Sequence, residues 1–209
     1  MRTIFCKSMR TLIVIFAAFS IVSCSPAVNL SIKYHPIEPP PGSRSIPGNI
    51  VLQLTREFEN YKFHWAMSTL TDYPIGKPLS QYAEAVTGAL FRDLTVVHGN
   101  VVPAETLATF VLVPNVSGIS VPIHYTTAWQ ERTVKVWIEW SLRNRAGDVL
   151  WIKTIDGEAT GNMGYGFGPG SMENNVARDL NIALENAFHN SYNMINSAEE
   201  LRTIMQSSR

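Results

Sequence analysis

Glycines at 161, 164, 166, 168 and 170 crowd one stretch of the chain, Gly161 to Gly170 (GNMGYGFGPG). Glycines at that density cradle phosphate when spaced G-x-x-x-x-G-K-[ST], or G-x-G-x-x-G after a strand. Neither spacing is present and the stretch holds no lysine, so it reads as a strand-to-helix connector. Its alternative use is to carry two aromatic tips, Tyr165 and Phe167, able to anchor in a partner or among lipid headgroups. The histidines, His35, His64, His98, His124 and His189, include no pair at i,i+4 and no H-E-x-x-H, so no metal is expected at them. The nucleophile pattern G-x-S-x-G is absent, and Val116-Ser117-Gly118 does not replace it. Glu57 with Glu59 and Glu199 with Glu200 read as solvated or helix-start acids rather than an acid–base pair. Trp129, Trp137, Trp140 and Trp151 cluster in sequence. Core packing accounts for Trp140; if Trp137 and Trp151 share the opposite face, they line a patch for a partner or an acyl chain. The competing reading buries them under the linker or the glycine stretch. No catalytic residue and no cofactor is expected.

One residue does have a specific chemistry ahead of it. Cys24 ends Ile21-Val22-Ser23-Cys24, behind an apolar run of 12 residues from Thr11 to Val22 and a flank carrying Arg2, Lys7 and Arg10 without an acid. A membrane-crossing helix needs about 20 residues, so this is the pattern of a secretory leader. An ordinary leader ends in a pattern such as Ala-x-Ala. This one resembles the bacterial lipobox, in which the thiol is acylated and the cysteine becomes the first residue. The competing reading is a leader with an incidental cysteine, or a signal-anchor. Each buried methylene contributes about 0.8 kcal/mol, so one chain holds weakly and several hold firmly. Ser25, rather than an aspartate, follows the cysteine and leans the sorting towards the outer membrane.

Removing residues 1–23 leaves 186 of 209 residues, enough for one domain and a linker. The balance of 17 basic against 17 acidic residues loses three bases, leaving a net charge of −3. That balance argues against nucleic acid as a partner, which asks for a basic patch. Cys6 leaves with the leader and Cys24 is the acylation site, so the domain has no disulfide and no thiol chemistry.

The elements follow from punctuation and period. Residues 24–48 hold Pro36, Pro39, Pro40, Pro41 and Pro47 with interspersed glycine and serine, an extended and solvated spacer in which Leu30 to Tyr34 alternates as a short edge strand. The domain, 49–209, opens with a strand in which Ile50, Leu52 and Leu54 alternate with polar or smaller neighbours, and Tyr61 to Thr69 reads as a second strand. Tyr73 to Pro78 is turn chemistry. Leu79, Tyr82, Ala83, Val86, Leu90 and Leu94 form the apolar face of a helix running to Leu94. Thr109 to Val113 is strand-like, with Pro114 and Pro122 marking an edge or a break. Arg132 to Arg143 alternates throughout, with Val134, Val136, Ile138, Trp140 and Leu142 inward, and returns after the turn 144–148 as Val149 to Ile155. Val176, Leu180, Ala183, Leu184, Ala187, Phe188 and Ile195 define a second long helix. Ser197 to Glu200 fits a capping box for a short terminal one. The expected class is α+β: an antiparallel or mixed sheet with two long amphipathic helices on one face and a short C-terminal helix.

Leader, order and ending together resemble the YajG-type outer-membrane lipoproteins, through IVSC, the Asn49 strand, PLSQYAEAVTGALFRDL, VKVWIEWSLRNRAGDVLWIK and NVARDLNIALENAFHNSYNMINSAEEL. Auxiliary lipoproteins of lipid-trafficking ABC transporters share the layout. The resemblance covers most of the mature chain and implies a non-catalytic envelope role. The longer proline linker and the glycine-aromatic stretch depart from it. The expected function is therefore an outer-membrane lipoprotein anchored through Cys24, its periplasmic domain binding a protein partner in an envelope assembly or transport complex. The alternatives are a lipid-binding auxiliary subunit of a transporter and a cell-wall or lipid hydrolase.

Overall fold

The computed structural model describes residues 34, 36, 46–65, 72–106, 108–125, 130–162 and 171–207. Cys24, Tyr165 and Phe167 lie outside them. The first strand, β1, spans Ile46–Leu54, beginning three residues before the expected domain start. Its alternation sends Ile50, Leu52 and Leu54 to one face, all fully buried.

A short helix, α1 (Arg56–Glu59), follows, capped by the Thr55 hydroxyl accepting from the Phe58 N–H. Of the expected strand Tyr61–Thr69, residues 66–69 lie outside the described residues and Lys62–His64 form β2; the turn segment supplies its partner β3 (Asp72–Pro74) in a separate two-stranded ribbon. Helix α2 begins at Gly76, where a Cβ would run into the Glu59 carbonyl at the end of α1. It stops at Leu90, not Leu94: Phe91 is extended (φ −113, ψ 134) and its N–H closes the last turn on Thr87. The chain returns as β4 (Phe91–His98), which pairs parallel to β1, so β1, α2 and β4 form one β-α-β crossover.

Strand β5 (Phe110–Ser120) pairs parallel to the other edge of β1. Pro114 lies within it, opposite Trp140, rather than at its end; β1 stops pairing at Leu112, so at Pro114 β5 has one bare edge and a missing donor is tolerated. Pro122 marks the break before β6 (Ile123–Tyr125). Strands β7 (Gln130–Asn144) and β8 (Val149–Asn162) form the expected hairpin, with β8 seven residues longer than its alternation suggested. Because β8 occupies one edge of β7 at Arg132, β6 pairs with the other edge, in line with β5. The sheet is mixed, in the order β4-β1-β5-β7-β8, with β6 continuing β5.

Both long helices, α2 and α3 (Ser171–Ser197), cover the inner face of this sheet, as the sequence implied. Val176, Leu180, Ala183, Leu184, Ala187, Phe188, Tyr192 and Ile195 of α3 are buried against β7 and β8. At Gly157 a Cβ would run into the backbone of Ala183 and Ala187, so helix and strand touch directly. Trp140 is fully buried, its indole N–H donating to Ser191 Oγ at 2.9 Å. Asn186 and Asn190, one helical turn apart, donate to the Glu158 and Asp156 carbonyls at 2.8 and 2.9 Å. They cap the edge strand β8. Among the described residues β4, at the other edge, pairs only with β1. The last helix, α4 (Glu199–Ser207), forms without the expected capping box: the Ser197 hydroxyl donates to the Met194 carbonyl of α3.

Candidate functional site

Parallel strands β4 and β5 flank β1, so the segment between them must cross β1 on one face. Since α2 occupies the inner face, the segment after β4 crosses the outer one, where Asn100–Ala104, Thr106 and Ala108 line a pocket with Gln53 and Val111. This explains why outward-pointing Val51 and Gln53 are buried. The pocket holds about 440 Å³, enough for a small ligand group. Arg143, Asn144 and Arg145, at the end of β7, close its far wall.

The pocket is cationic with an apolar floor. Arg145 Nη2 donates to the Ala104 carbonyl, tying the turn 144–148 to the crossing segment. Gln53 Nε2 donates to the Gly99 carbonyl at 3.1 Å. Asn100 accepts from the Arg56 N–H and donates to Glu57 Oε1, at 3.0 and 3.1 Å. Glu57's own backbone N–H, and then the Asn100 amide, hold its carboxyl below the ordinary range. Among the described residues no acid pairs with Arg143 or Arg145, and no His, Asp, Glu or Cys lines the pocket. Such a surface can hold an anionic group against Val111 and Ala108 but offers no side chain for proton transfer at neutral pH. No motif marks these arginines. Their signal was position: Arg143 continues the outward phase of Lys135 and Trp137, and Arg145 sits in the turn beside it.

Trp137 and Trp151 do not share a face, the condition on which a joint patch depended. Trp151 pairs with Leu142 and so lies on the inner face, 5% exposed; Trp137 pairs with Asp156 on the outer face, where it is half-buried over Gly118. A residue directly opposite shares a face, so the register places the two on opposite sides. Beside Trp137 the outer face is polar, with Lys135 and Glu158 paired at 2.7 Å.

A second group of charges is buried on the inner face. Arg132 is fully buried, in phase with Val134, and donates from Nη2 to Asp179 Oδ2 of α3. Asp179 accepts a second bond from Arg178 Nε at 2.9 Å. Gly161 lies opposite Arg132, where a Cβ would run into the Asp179 carboxylate. Among the described residues the Nε and Nη1 of Arg132 have no partner. Nearby, burial and then the Glu173 carboxylate push the Tyr73 phenol up to about 12, with Arg132 opposing. This cluster pins the N-terminal half of α3 to the start of β7.

Two of the histidines pair with acids at the surface: His64 with Asp72 at 3.1 Å and His98 with Glu59 at 2.7 Å. Among the described residues no three His, Cys, Asp or Glu gather where they could hold a metal ion. No helix among them is long and apolar enough to cross a membrane.

Fold and pocket together define a two-layer α+β domain with one closed and one open sheet face. No family model matches the chain, and no curated protein does. Several solved structures show a partial likeness. A minor lipoprotein from Acinetobacter baumannii is 13% identical over 74% of this chain and 94% of its own, with a TM-score of 0.42. A Helicobacter pylori protein described as a neuraminyllactose-binding hemagglutinin homologue is 10% identical over 85% and 98%, with a TM-score of 0.45. A Caulobacter crescentus lipoprotein is 11% identical over 64% and 85%, with a TM-score of 0.38. At these identities and scores the likenesses lend no function to this chain, and the YajG-type resemblance has no matching family model behind it.

Proposed function

We propose that the chain is a bacterial outer-membrane lipoprotein, held by an acylated Cys24 and facing the periplasm. Its domain is a non-catalytic binding module, an accessory subunit of an envelope assembly or transport complex. The observation that carries this reading is the combination of the lipobox Ile21-Val22-Ser23-Cys24 with a domain whose outer-face pocket offers guanidinium and apolar surface without a proton-transfer group. Glycine-aromatic residues Tyr165 and Phe167, and Trp137, remain further candidates for partner contact.

The lipid-binding alternative asks for an apolar groove between sheet and helices. Against it, Gly157 meets the backbone of α3 directly, and Trp140, Phe188 and Tyr82 are fully buried at that interface. An acyl chain has no room there.

Replacing Cys24 by alanine and fractionating the envelope tests the anchor. Loss of the detergent-soluble membrane pool is expected; unchanged membrane retention would refute it. Within the acylated protein, Arg143→Glu with Arg145→Glu should release the co-purifying assembly while leaving the lipid mass on Cys24 intact. Undiminished co-purification would remove the pocket from the binding surface.

A further inference from the structure

We infer that Tyr34 straps the tether to the helix layer, so that this layer faces the membrane and the outer sheet face is turned away from it. The membrane part of this inference rests on the acylation of Cys24 proposed above.

Tyr34 is half-buried and packs against the core. Its ring stands edge-on to Tyr82 of α2 at 4.9 Å. Tyr82 is fully buried and stacks on Phe188 of α3 at 5.2 Å and 12° between planes. Phe188 in turn meets Trp140 of β7 edge-on at 6.2 Å. An aromatic file thus runs from the linker through both helices to the sheet, and the linker enters it from the helix side. The chain between Cys24 and Tyr34 is ten residues long, against the 22 that separate Cys24 from Ile46.

Length decides the orientation. Ten residues reach at most about 35 Å, whatever conformation they take. To put the sheet against the lipid, the tether would have to pass the thickness of a helix and a sheet, about 20 Å, and round half the width of five strands, about 12 Å. Together these consume nearly the whole reach, so the inverted pose requires an almost fully stretched chain. A tether of 22 residues reaches about 75 Å and imposes no such bias. In the strapped pose the pocket at Arg143 and Arg145 is presented to the periplasm, on the side away from α2 and α3. Ile182, 43% exposed on α3, is then on the lipid side.

No cysteine follows Cys24, so one introduced cysteine is a unique label. Gly88→Cys marks the helix layer, where a Cβ meets nothing within 4 Å; Asn115→Cys marks the exposed outer face. The acylated full chain, dye-labelled at either site, is placed in phosphatidylcholine–phosphatidylglycerol vesicles carrying a headgroup quencher. Quenching at 88 should exceed that at 115 several-fold. Tyr34→Ala should cut the difference by more than half, and Tyr34→Trp should keep it. Equal quenching in the parent, or a difference that survives Tyr34→Ala, overturns the inference. Hydrogen exchange decides the strap separately: Tyr34→Ala should speed exchange over Leu79–Val86, and unchanged exchange rejects the strap. An unmodified Cys24 thiol in protein from its host would overturn the anchor and the orientation together, whatever the exchange shows.

Discussion

Replacing Asp179 by asparagine removes the charge facing Arg132 with little change of shape. The guanidinium is fully buried, Asp179 is 2% exposed, and Arg132 Nε and Nη1 lack partners among the described residues. The variant therefore leaves a buried cation with no compensating anion, a loss of about 3–5 kcal/mol. For a domain of this size that lowers the melting temperature by about 10 °C. The opposite deletion is milder. In Arg132→Met the carboxylate keeps its bond from Arg178, which is 58% exposed and brings hydration with it, so the loss is about 1–3 kcal/mol. The double variant Arg132→Met with Asp179→Leu leaves no buried charge and should recover most of the stability, because an apolar pair of similar volume is often neutral. Urea unfolding followed by tryptophan fluorescence measures all three, and the double-mutant cycle isolates the pair. If Asp179→Asn costs under 1 kcal/mol, or if Arg132→Met is the costlier single change, the account of a buried pair with one wet partner is wrong.

Other expectations rest on contacts already described. Gly157→Ala should destabilise by about 1–3 kcal/mol, since the added methyl meets the α3 backbone rather than a movable side chain; an unchanged denaturation midpoint would contradict the direct contact. Ser191→Ala orphans the buried Trp140 indole N–H and should cost about 1–3 kcal/mol in the same assay. The Tyr73 phenol stays protonated in the folded chain to about 12 but ionises from 10 when unfolded, so its contribution is complete below pH 10 and lost as pH rises towards 12. Comparing denaturant midpoints across that window, Tyr73→Phe should show a shallower decline than the parent.

The β7–β8 hairpin and α3 were readable because each obeys one period over many residues. Strand β4 was not. Leu94 falls four residues after Leu90 and extends the helical spacing, while the β-branched run Thr95-Val96-Val97 that argues for a strand comes after the helix has ended. Parallel pairing hid it further, since no turn joins β4 to β1. The buried charges were hidden by type, although their positions gave them away. Arg132 is two residues from Val134 on an alternating strand, and Asp179 is three residues from Val176 on the inward helical stripe. The failed patch of Trp137 and Trp151 has a simpler cause. A hairpin's faces are fixed by register across the turn, and the shift at Leu142–Arg143 changes which β8 residues point inward.

The unequal edges of the sheet limit what can be built on it. The carbonyls of Asp156 and Glu158 on β8 are occupied by Asn186 and Asn190, whereas β4 offers its backbone on one side. Among the described strands, β4 leaves a whole edge without a partner, which makes it the most open place for strand addition. Two molecules joined edge to edge at β4 would each turn the side-chain-capped strand β8 outwards, which disfavours the addition of a third.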